Sequence, residues 1–208
     1  MMIYGYDTTL PVSMEEMLLI VRAVCRGAQS SLVVADMPFL SYQPSIEETI
    51  KNAGLFLKEG GASAVKLEGG QHIREHVSAL VDCGIPVLGH IGLTPQSFHQ
   101  FSGYKIQGKT PAAAQKIIDD ALAVQEAGAF GVVLECIPDE LAKKITQTIT
   151  IPTIGIGSGC FCDGQIQVFH DILGYGASRP PKHAMQLDTM FERVEGIVRQ
   201  YKQNIENS

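Results

Sequence analysis

The sequence predicts an α/β fold with a parallel sheet, and within that class a (β/α)8 barrel. Nearly continuous apolar runs alternate with segments whose apolar residues have helical spacing, a pattern typical of a parallel sheet covered by helices. Charged residues stand at the ends of the apolar runs, where the active sites of such barrels assemble. An open doubly wound sheet is the alternative, but its G-x-G-x-x-G motif does not occur at the first strand–helix turn.

Capping residues mark where the predicted helices begin. Ser13 with Glu16, and Ser45 with Glu48, have the spacing of a capping box, in which each side chain accepts a hydrogen bond from a backbone N–H. Proline is well tolerated in the first helical turn, so Pro111 is predicted to open another helix. In chain order the predicted helices cover residues 14–26, 46–58, 72–83, 112–127, 138–148, 165–173 and 188–203.

Five strands are predicted between the helices, fewer than the eight of a complete barrel. They cover residues 31–39, 65–68, 86–92, 129–136 and 152–159. A longer connection over residues 94–109 contains Tyr104 and Lys105. Because connections of this length are usually functional, it is predicted to close over the site, with a solvated loop as the alternative.

Composition and charge restrict the class of protein. The 208 residues suit one domain, residues 1–208, with 45% hydrophobic and 18% charged residues, as in globular proteins. The net charge of −6 and the pI of about 5.5 argue against nucleic acid or an anionic membrane as partner. No apolar run has the length of a membrane span and the first residues lack a signal-peptide pattern, so a cytoplasmic location is predicted.

Lys66 and Glu68 are the most informative pair of residues in the sequence. They lie two positions apart in an otherwise apolar strand, so both side chains point to the same face. Buried charges are costly unless something compensates them. A mutual ion pair at the strand end is one interpretation, and a site that binds an anion and a cation together is the other.

Charged residues at four predicted strand ends could form one catalytic site. The carboxylates of Asp36 and Glu68 are oxygen ligands suited to Mg²⁺, with Lys66 holding an anionic substrate group beside the metal. Burial would raise the pKa of Glu135 and make it a candidate general base that removes a proton next to the carbonyl of a 2-oxo acid, the metal stabilising the enolate. His90 is a candidate for contact with the substrate, or else a structural histidine. For each acid alone, a helix cap or an ion pair is the alternative.

The ordered motifs of the chain resemble those of the ketopantoate hydroxymethyltransferase family. The resemblance extends over nearly the whole chain and therefore does not depend on one short pattern. The matching segments are GYDTTLPV at residues 5–12, ADMPF at 35–39, VKLEGG at 65–70, GHIGLTPQ at 89–96, GYKIQG at 103–108, LEC at 134–136, IGIGSG at 154–159 and DGQI at 163–166.

The resemblance implies a (β/α)8 barrel that uses Mg²⁺. It also implies transfer of a hydroxymethyl group from 5,10-methylenetetrahydrofolate to 3-methyl-2-oxobutanoate, giving 2-dehydropantoate in pantothenate biosynthesis. By this resemblance Asp36 is a metal ligand that also touches the substrate, and Glu68 belongs to the metal site. Lys66 binds the oxo acid, and Glu135 accepts the proton. A homo-oligomer is expected, because family members usually form decamers.

The sequence also departs from the family pattern. Family members begin with an additional segment that supplies two strands, one helix and a Gly-Asp-Ser motif. A barrel without its first two strands and first helix is therefore expected here, with weaker Mg²⁺ binding and little or no activity. Residues 179–183 also differ from the family, and Cys160 and Cys162 are unusual after the glycine turn. Two alternatives are a non-catalytic copy that assembles with or regulates a full-length homologue, and a related metal-dependent 2-oxo acid lyase.

Overall fold

The computed structural model describes residues 3–97, 99, 105–176, 181 and 183–207. The chain divides into two compact units. The larger unit contains the sheet and its helices, and the smaller one contains the final helices.

The larger unit, residues 6–165, alternates strands with helices as the sequence predicts. A π-helical turn extends α2, and short 3₁₀ turns follow β2 and β3. In chain order the elements are α1 (Met14–Gly27), β1 (Val34–Asp36), α2 (Ile46–Leu55), β2 (Ala64–Glu68), α3 (Arg74–Asp82), β3 (Val87–Gly92), α4 (Pro111–Glu126), β4 (Gly131–Glu135), α5 (Asp139–Thr148), β5 (Thr153–Ile156) and β6 (Gly164–Gln165).

The predicted caps are present at the helix starts. At α1, Ser13 Oγ accepts from Glu16 N, and the Glu16 carboxylate accepts in return from Ser13 N. Ser45 Oγ accepts from Glu48 N at the start of α2. These bonds satisfy N–H groups that the first helical turn leaves without partners, so the helices begin where the capping residues stand.

The six strands form one parallel sheet in the order β1-β2-β3-β4-β5-β6. Each strand pairs with the next one along the chain, without the reversal of strand order that defines a doubly wound sheet. The α/β class is therefore confirmed, and the sequential order is consistent with the path of a (β/α)8 barrel. The expectation that two strands and one helix are lacking before this sheet stays a prediction.

One helix prediction is wrong in its first residues. Gly164 and Gln165 form β6, where the sequence predicted the start of a helix over residues 165–173. Asp163 explains the difference, because its Oδ2 accepts hydrogen bonds of 2.9 Å from both N and Oγ1 of Thr153. These two bonds hold the chain beside β5 and make strand pairing possible.

The hydrophobic core of the larger unit lies between the sheet and the helices. Val65 and Leu67 of β2 are buried, as are Val132 and Leu134 of β4. Helix side chains such as Val77 complete the same cluster. At roughly 25 cal/mol per Å² of apolar surface removed from water, this burial is the main stabilising contribution, and it fixes the strand ends that carry the polar residues.

The smaller unit, residues 166–208 with a few residues from the amino-terminal end, contains two helices in its described part. They are α6 (Phe169–Leu173) and α7 (Met190–Glu206). Leu187 N donates to Ile172 O at 2.7 Å and so ties the segment before α7 to α6. Among the helices that the structure describes, none is long and apolar enough to cross a membrane.

Candidate active site

Five polar side chains share one face of the sheet at its carboxyl-terminal edge. They are Asp36 on β1, Lys66 and Glu68 on β2, His90 on β3 and Glu135 on β4. Asp36 is in register with Lys66, and Glu68 with His90, while Glu135 is in register with the residue two beyond His90. Partners in register share a face, as do residues two apart along a strand. The structure therefore brings together all five residues that the sequence predicted.

Lys66 sits among carboxylates. Its Nζ lies 2.7 Å from Asp36 Oδ1 and 3.9 Å from Glu68 Oε1, and its side chain is 17% exposed. Burial acts to lower the pKa of Lys66, but the charges of these two carboxylates outweigh burial and leave the pKa above its usual value. The lysine is therefore charged at neutral pH, and its closest ionic contact is Asp36 rather than the Glu68 suggested by the sequence.

His90 lies between Lys66 and Glu135. His90 is 3% exposed, and burial followed by the charge of Lys66 lowers its pKa to about 4. The ring is thus neutral at pH 7, and its Nδ1 accepts from Lys66 Nζ at 3.2 Å, which places the ring proton on Nε2. Nε2 lies 3.0 Å from Glu135 Oε2, but this contact does not have the geometry of a hydrogen bond. The neutral ring therefore lies between Lys66 and Glu135.

Glu68 is a buried carboxylate with an asymmetric environment. Burial raises its pKa, and this effect outweighs the opposing charge of Lys66. Oε2 accepts from the backbone N–H of Gln96 at 2.9 Å, whereas Oε1 lies 3.7 Å from His90 Nδ1. Oε2 is therefore fixed by the chain after β3, and Oε1 faces the space between Lys66 and Glu135.

Sequence reasoning missed the polar network behind Glu68. The Tyr42 hydroxyl accepts from Glu68 N at 3.2 Å and lies 3.1 Å from Gln96 Oε1. The Gln96 side chain also donates to Met37 O at 2.7 Å. Burial raises the pKa of Tyr42, so its hydroxyl stays protonated and available as a donor. Gln96 ends the GHIGLTPQ motif, but no pattern in the sequence predicts its contact with Glu68, which lies 28 positions earlier.

The backbone around Glu135 is tightly constrained. Leu93 N donates to Glu135 O at 2.8 Å, and Cys136 adopts a left-handed conformation with φ of 47°. Gly92 has φ of 92°, and a Cβ at that position would come within 2.4 Å of Glu135 O. Left-handed backbone is costly for a residue other than glycine, so Cys136 is held there by its surroundings. The strained turn fixes the direction in which Glu135 leaves β4.

A cavity of about 660 Å³ adjoins these residues. Glu68, Ile91 and Gly92 are among the residues that line it. Its volume falls within the roughly 300–1,000 Å³ typical of small-molecule sites. The carboxyl ends of β2 and β3 thus open into a space large enough for a substrate.

The donor set can be tested against Mg²⁺. Within the part of the chain that the structure describes, no group of three or more His, Cys, Asp or Glu side chains is arranged to hold a metal ion. Mg²⁺ needs only one or two carboxylates when substrate and water complete its shell. Asp36 and Glu68 supply two, and Asp36 Oδ1 is buried without a hydrogen bond of acceptable geometry. Asp36 and Glu68 therefore fit a Mg²⁺ site in which two carboxylates bind the ion and substrate and water complete its shell.

Some predicted features lie outside this cluster. Tyr104 is outside the described residues, and Lys105 is exposed. Most of the unusual segment at residues 179–183 is also outside them. Cys160 and Cys162 are both free thiols.

The parallel α/β fold, with its candidate site at the carboxyl ends of the strands, is typical of an enzyme of this fold class. The family model for ketopantoate hydroxymethyltransferase matches residues 1–208. The chain belongs to this family of transferases.

Comparisons with individual proteins agree with the family assignment. The chain is 57% identical to a 3-methyl-2-oxobutanoate hydroxymethyltransferase of Carboxydothermus hydrogenoformans, over 99% of this chain and 74% of that protein. It is 53% identical to one of Syntrophus aciditrophicus, over 100% of this chain and 76% of that protein. A solved phosphoenolpyruvate phosphomutase of Streptomyces platensis shares the fold with a TM-score of 0.53 and 12% identity, over 94% of this chain and 69% of that one. The family assignment thus favours the transferase prediction over the lyase alternative.

Proposed function

We propose that this protein transfers a hydroxymethyl group from 5,10-methylenetetrahydrofolate to 3-methyl-2-oxobutanoate, giving 2-dehydropantoate for pantothenate biosynthesis. The family match over residues 1–208 carries this proposal. The series Asp36, Lys66, His90 and Glu135 supports it, since it places a cation and a candidate base around one space.

Each residue has a separate role in the proposed reaction. Lys66 binds the carboxylate of the oxo acid with its charged ammonium group. Glu135 removes the proton from C3 of the oxo acid, and neutral His90 lies between Glu135 and Lys66. Water adds to the methylene carbon of the folate, which breaks one C–N bond; that nitrogen takes a proton from the water and the carbon becomes a hydroxymethyl group on the other nitrogen. The carbon nucleophile then forms a bond to the hydroxymethyl carbon as the second C–N bond breaks, and the released nitrogen takes the proton that Glu135 removed from C3.

Asp36 and Glu68 would hold Mg²⁺ beside the oxo acid. When bound, the ion withdraws electron density from the oxo group and so acidifies the C3–H bond. Asp36 suits this role because its side chain is 40% exposed and can contact a ligand as well as Lys66. Glu68 suits it because Oε1 faces the space between Lys66 and Glu135 while Oε2 is held by Gln96.

Three structural proposals accompany this function. The sheet is part of a (β/α)8 barrel that comprises residues 1–208 as one domain, which the sequential strand order supports. The chains assemble as a homo-oligomer, which the family resemblance supports. The protein works in the cytoplasm on small molecules, as its composition and charge suggest.

Exchange of the C3 proton of 3-methyl-2-oxobutanoate in deuterated water tests the chemistry without folate. Because the structure brings the five polar residues together, we expect Mg²⁺-dependent exchange by the unmodified protein, in contrast to the little or no activity that its departures from the family pattern predict. Glu135→Gln should lose at least about 100-fold, since a positioned base contributes about 10²–10⁴-fold. Glu140→Gln, an exposed glutamate in the first turn of α5, is the matched control. Absence of exchange in the unmodified protein, or exchange unaffected in Glu135→Gln, would contradict the proposal and favour a non-catalytic copy.

A further inference from the structure

A second buried carboxylate lies in the cavity that adjoins the reaction centre. Asp120 of α4 is 7% exposed and lines the cavity, yet the proposed reaction does not use it. Its Oδ1 accepts from the backbone N–H of Gln71 at 2.9 Å, and its Oδ2 lies 3.1 Å from Lys116 Nζ. A carboxylate has about four lone-pair positions. These two contacts therefore leave acceptor capacity on both oxygens.

The glycine pair after β2 allows Asp120 to reach this position. A Cβ at Gly70 would come within 2.1 Å of the Asp120 carboxyl group, and one at Gly69 would come within 2.6 Å of the His72 ring. Real Cβ atoms do not approach other atoms this closely, so any larger residue at Gly70 would displace the carboxylate. The Gly69-Gly70 motif thus shapes the cavity wall that carries Asp120.

The cavity combines apolar surface with amide groups. Phe39, Ile91 and Ile117 supply apolar surface, and Gln43 and Gln107 supply side-chain amides. Among the described lining residues, Glu68 and Asp120 are the carboxylates. Glu68 marks the end next to the reaction centre, and Asp120 belongs to the helical wall formed by α4. A ligand here would have an apolar part and hydrogen-bond donors that face a carboxylate.

The position of the cavity relative to the reaction centre limits what the ligand does. Two lining residues are in register with residues of the reaction centre: Gly92 with Glu135, and Glu68 with His90. A ligand in the cavity therefore lies beside the space between the proposed base and Lys66. This is where a second substrate must bind to deliver a carbon atom to C3 of the oxo acid.

We propose that this cavity binds the reduced pterin ring of the one-carbon donor, with Asp120 accepting hydrogen bonds from its ring N–H and exocyclic amino group. The inference rests on the proposed function, because that function requires a folate. The pyrimidine ring of a reduced pterin is planar, and its edge carries two adjacent donors that match the two oxygens of one carboxylate. Gln43 and Gln107 have the acceptor and donor groups needed for the remaining polar edge.

Asp120→Asn tests this assignment without removing the structural contact of Asp120. The asparagine oxygen still accepts from Gln71 N, but its amino group cannot accept from the pterin. Asp119→Asn is the matched control, since Asp119 lies one position earlier on α4, bonds to Gln115 at 2.8 Å and is not a lining residue. We expect Asp120→Asn to weaken binding of tetrahydrofolate, measured by isothermal titration, by about 10- to 100-fold, and Asp119→Asn to leave it within about twofold.

C3 proton exchange without folate separates this proposal from the proposed function. Tetrahydrofolate binding by Asp120→Asn equal to that of the unmodified protein would overturn the pterin assignment, as would failure of the unmodified protein to bind tetrahydrofolate. If exchange fails in the unmodified protein while Asp120 still controls folate binding, the reaction is wrong and the pterin site stands. Exchange and the melting temperature in Asp120→Asn report whether the variant is folded.

Discussion

His90 Nδ1 accepts a hydrogen bond from Lys66 Nζ at 3.2 Å, so a neutral histidine and a charged lysine lie side by side at two adjacent strand ends. A protonated imidazole could not accept this bond. Protonation of His90 would therefore cost both the bond and the burial of a second positive charge. This relationship makes the protein sensitive to acid at one identifiable residue.

Stability is expected to fall between pH 6.5 and about 4 because of His90. Its pKa is lowered from 6.5 to about 4 in the folded protein, so in this window the unfolded chain binds more protons and the free energy of unfolding decreases as pH falls. The contribution is about 3 kcal/mol, at roughly 1.4 kcal/mol per pKa unit. Urea unfolding at pH 7 and pH 5 should show a smaller loss in His90→Gln than in the unmodified protein. Equal losses would mean that His90 is not the group responsible.

Lys66→Met should weaken binding of the oxo acid more than it affects folding. The substitution keeps the length of the side chain but removes the charge that pairs with a carboxylate, so KM for 3-methyl-2-oxobutanoate should rise at least about tenfold. Lys202→Met, which removes an exposed lysine 3.6 Å from Glu206, is the control and should leave KM unchanged. An unaltered KM in Lys66→Met would show that Lys66 does not bind the oxo acid.

Gly92→Ala should destabilise the protein by about 2–4 kcal/mol. The new Cβ would approach Glu135 O within 2.4 Å, and the left-handed φ of 92° adds a cost of its own. Gly27→Ala, at the end of α1 with no atom within 4 Å of the added Cβ, should change stability by less than about 1 kcal/mol. The midpoints of urea unfolding compare the two variants directly, and similar midpoints would show that the turn at Gly92 can relax.

Asp36→Asn should weaken Mg²⁺ binding by at least about tenfold, since it replaces a charged oxygen ligand with a neutral one. Titration of Mg²⁺ alone, followed by calorimetry, measures this without turnover. Asp119→Asn again provides the same chemical change away from the site and should bind as the unmodified protein does. Unchanged Mg²⁺ affinity in Asp36→Asn would show that Asp36 is not a metal ligand and acts only as the ion-pair partner of Lys66.

The strand ends were predictable because they depend on local rules. The period of two along β2 fixes Lys66 and Glu68 on one face. An acid at the end of an apolar strand, such as Asp36 or Glu135, is visible in the sequence itself. The parallel sheet then brings these ends together without any further information.

Contacts between distant residues could not be predicted in the same way. Asp120 meets Gln71 across 49 positions, and Tyr42 meets Glu68 across 26. Strand β6 depends on the side chain of Asp163 reaching Thr153, not on a run of apolar residues. In each case a polar side chain satisfies a backbone group on another element, and a single sequence contains no period or spacing that reports it.

The strand register makes the site tolerant of length changes in some places and intolerant in others. One residue inserted between Lys66 and Glu68 would turn one of them toward the helices, because side chains alternate along a strand. The same insertion in the connection between α1 and β1, at residues 28–33, would leave every register pair in place. Variation in length among functional versions of this protein should therefore be confined to its connections, while β2, β3 and β4 keep a fixed count of residues.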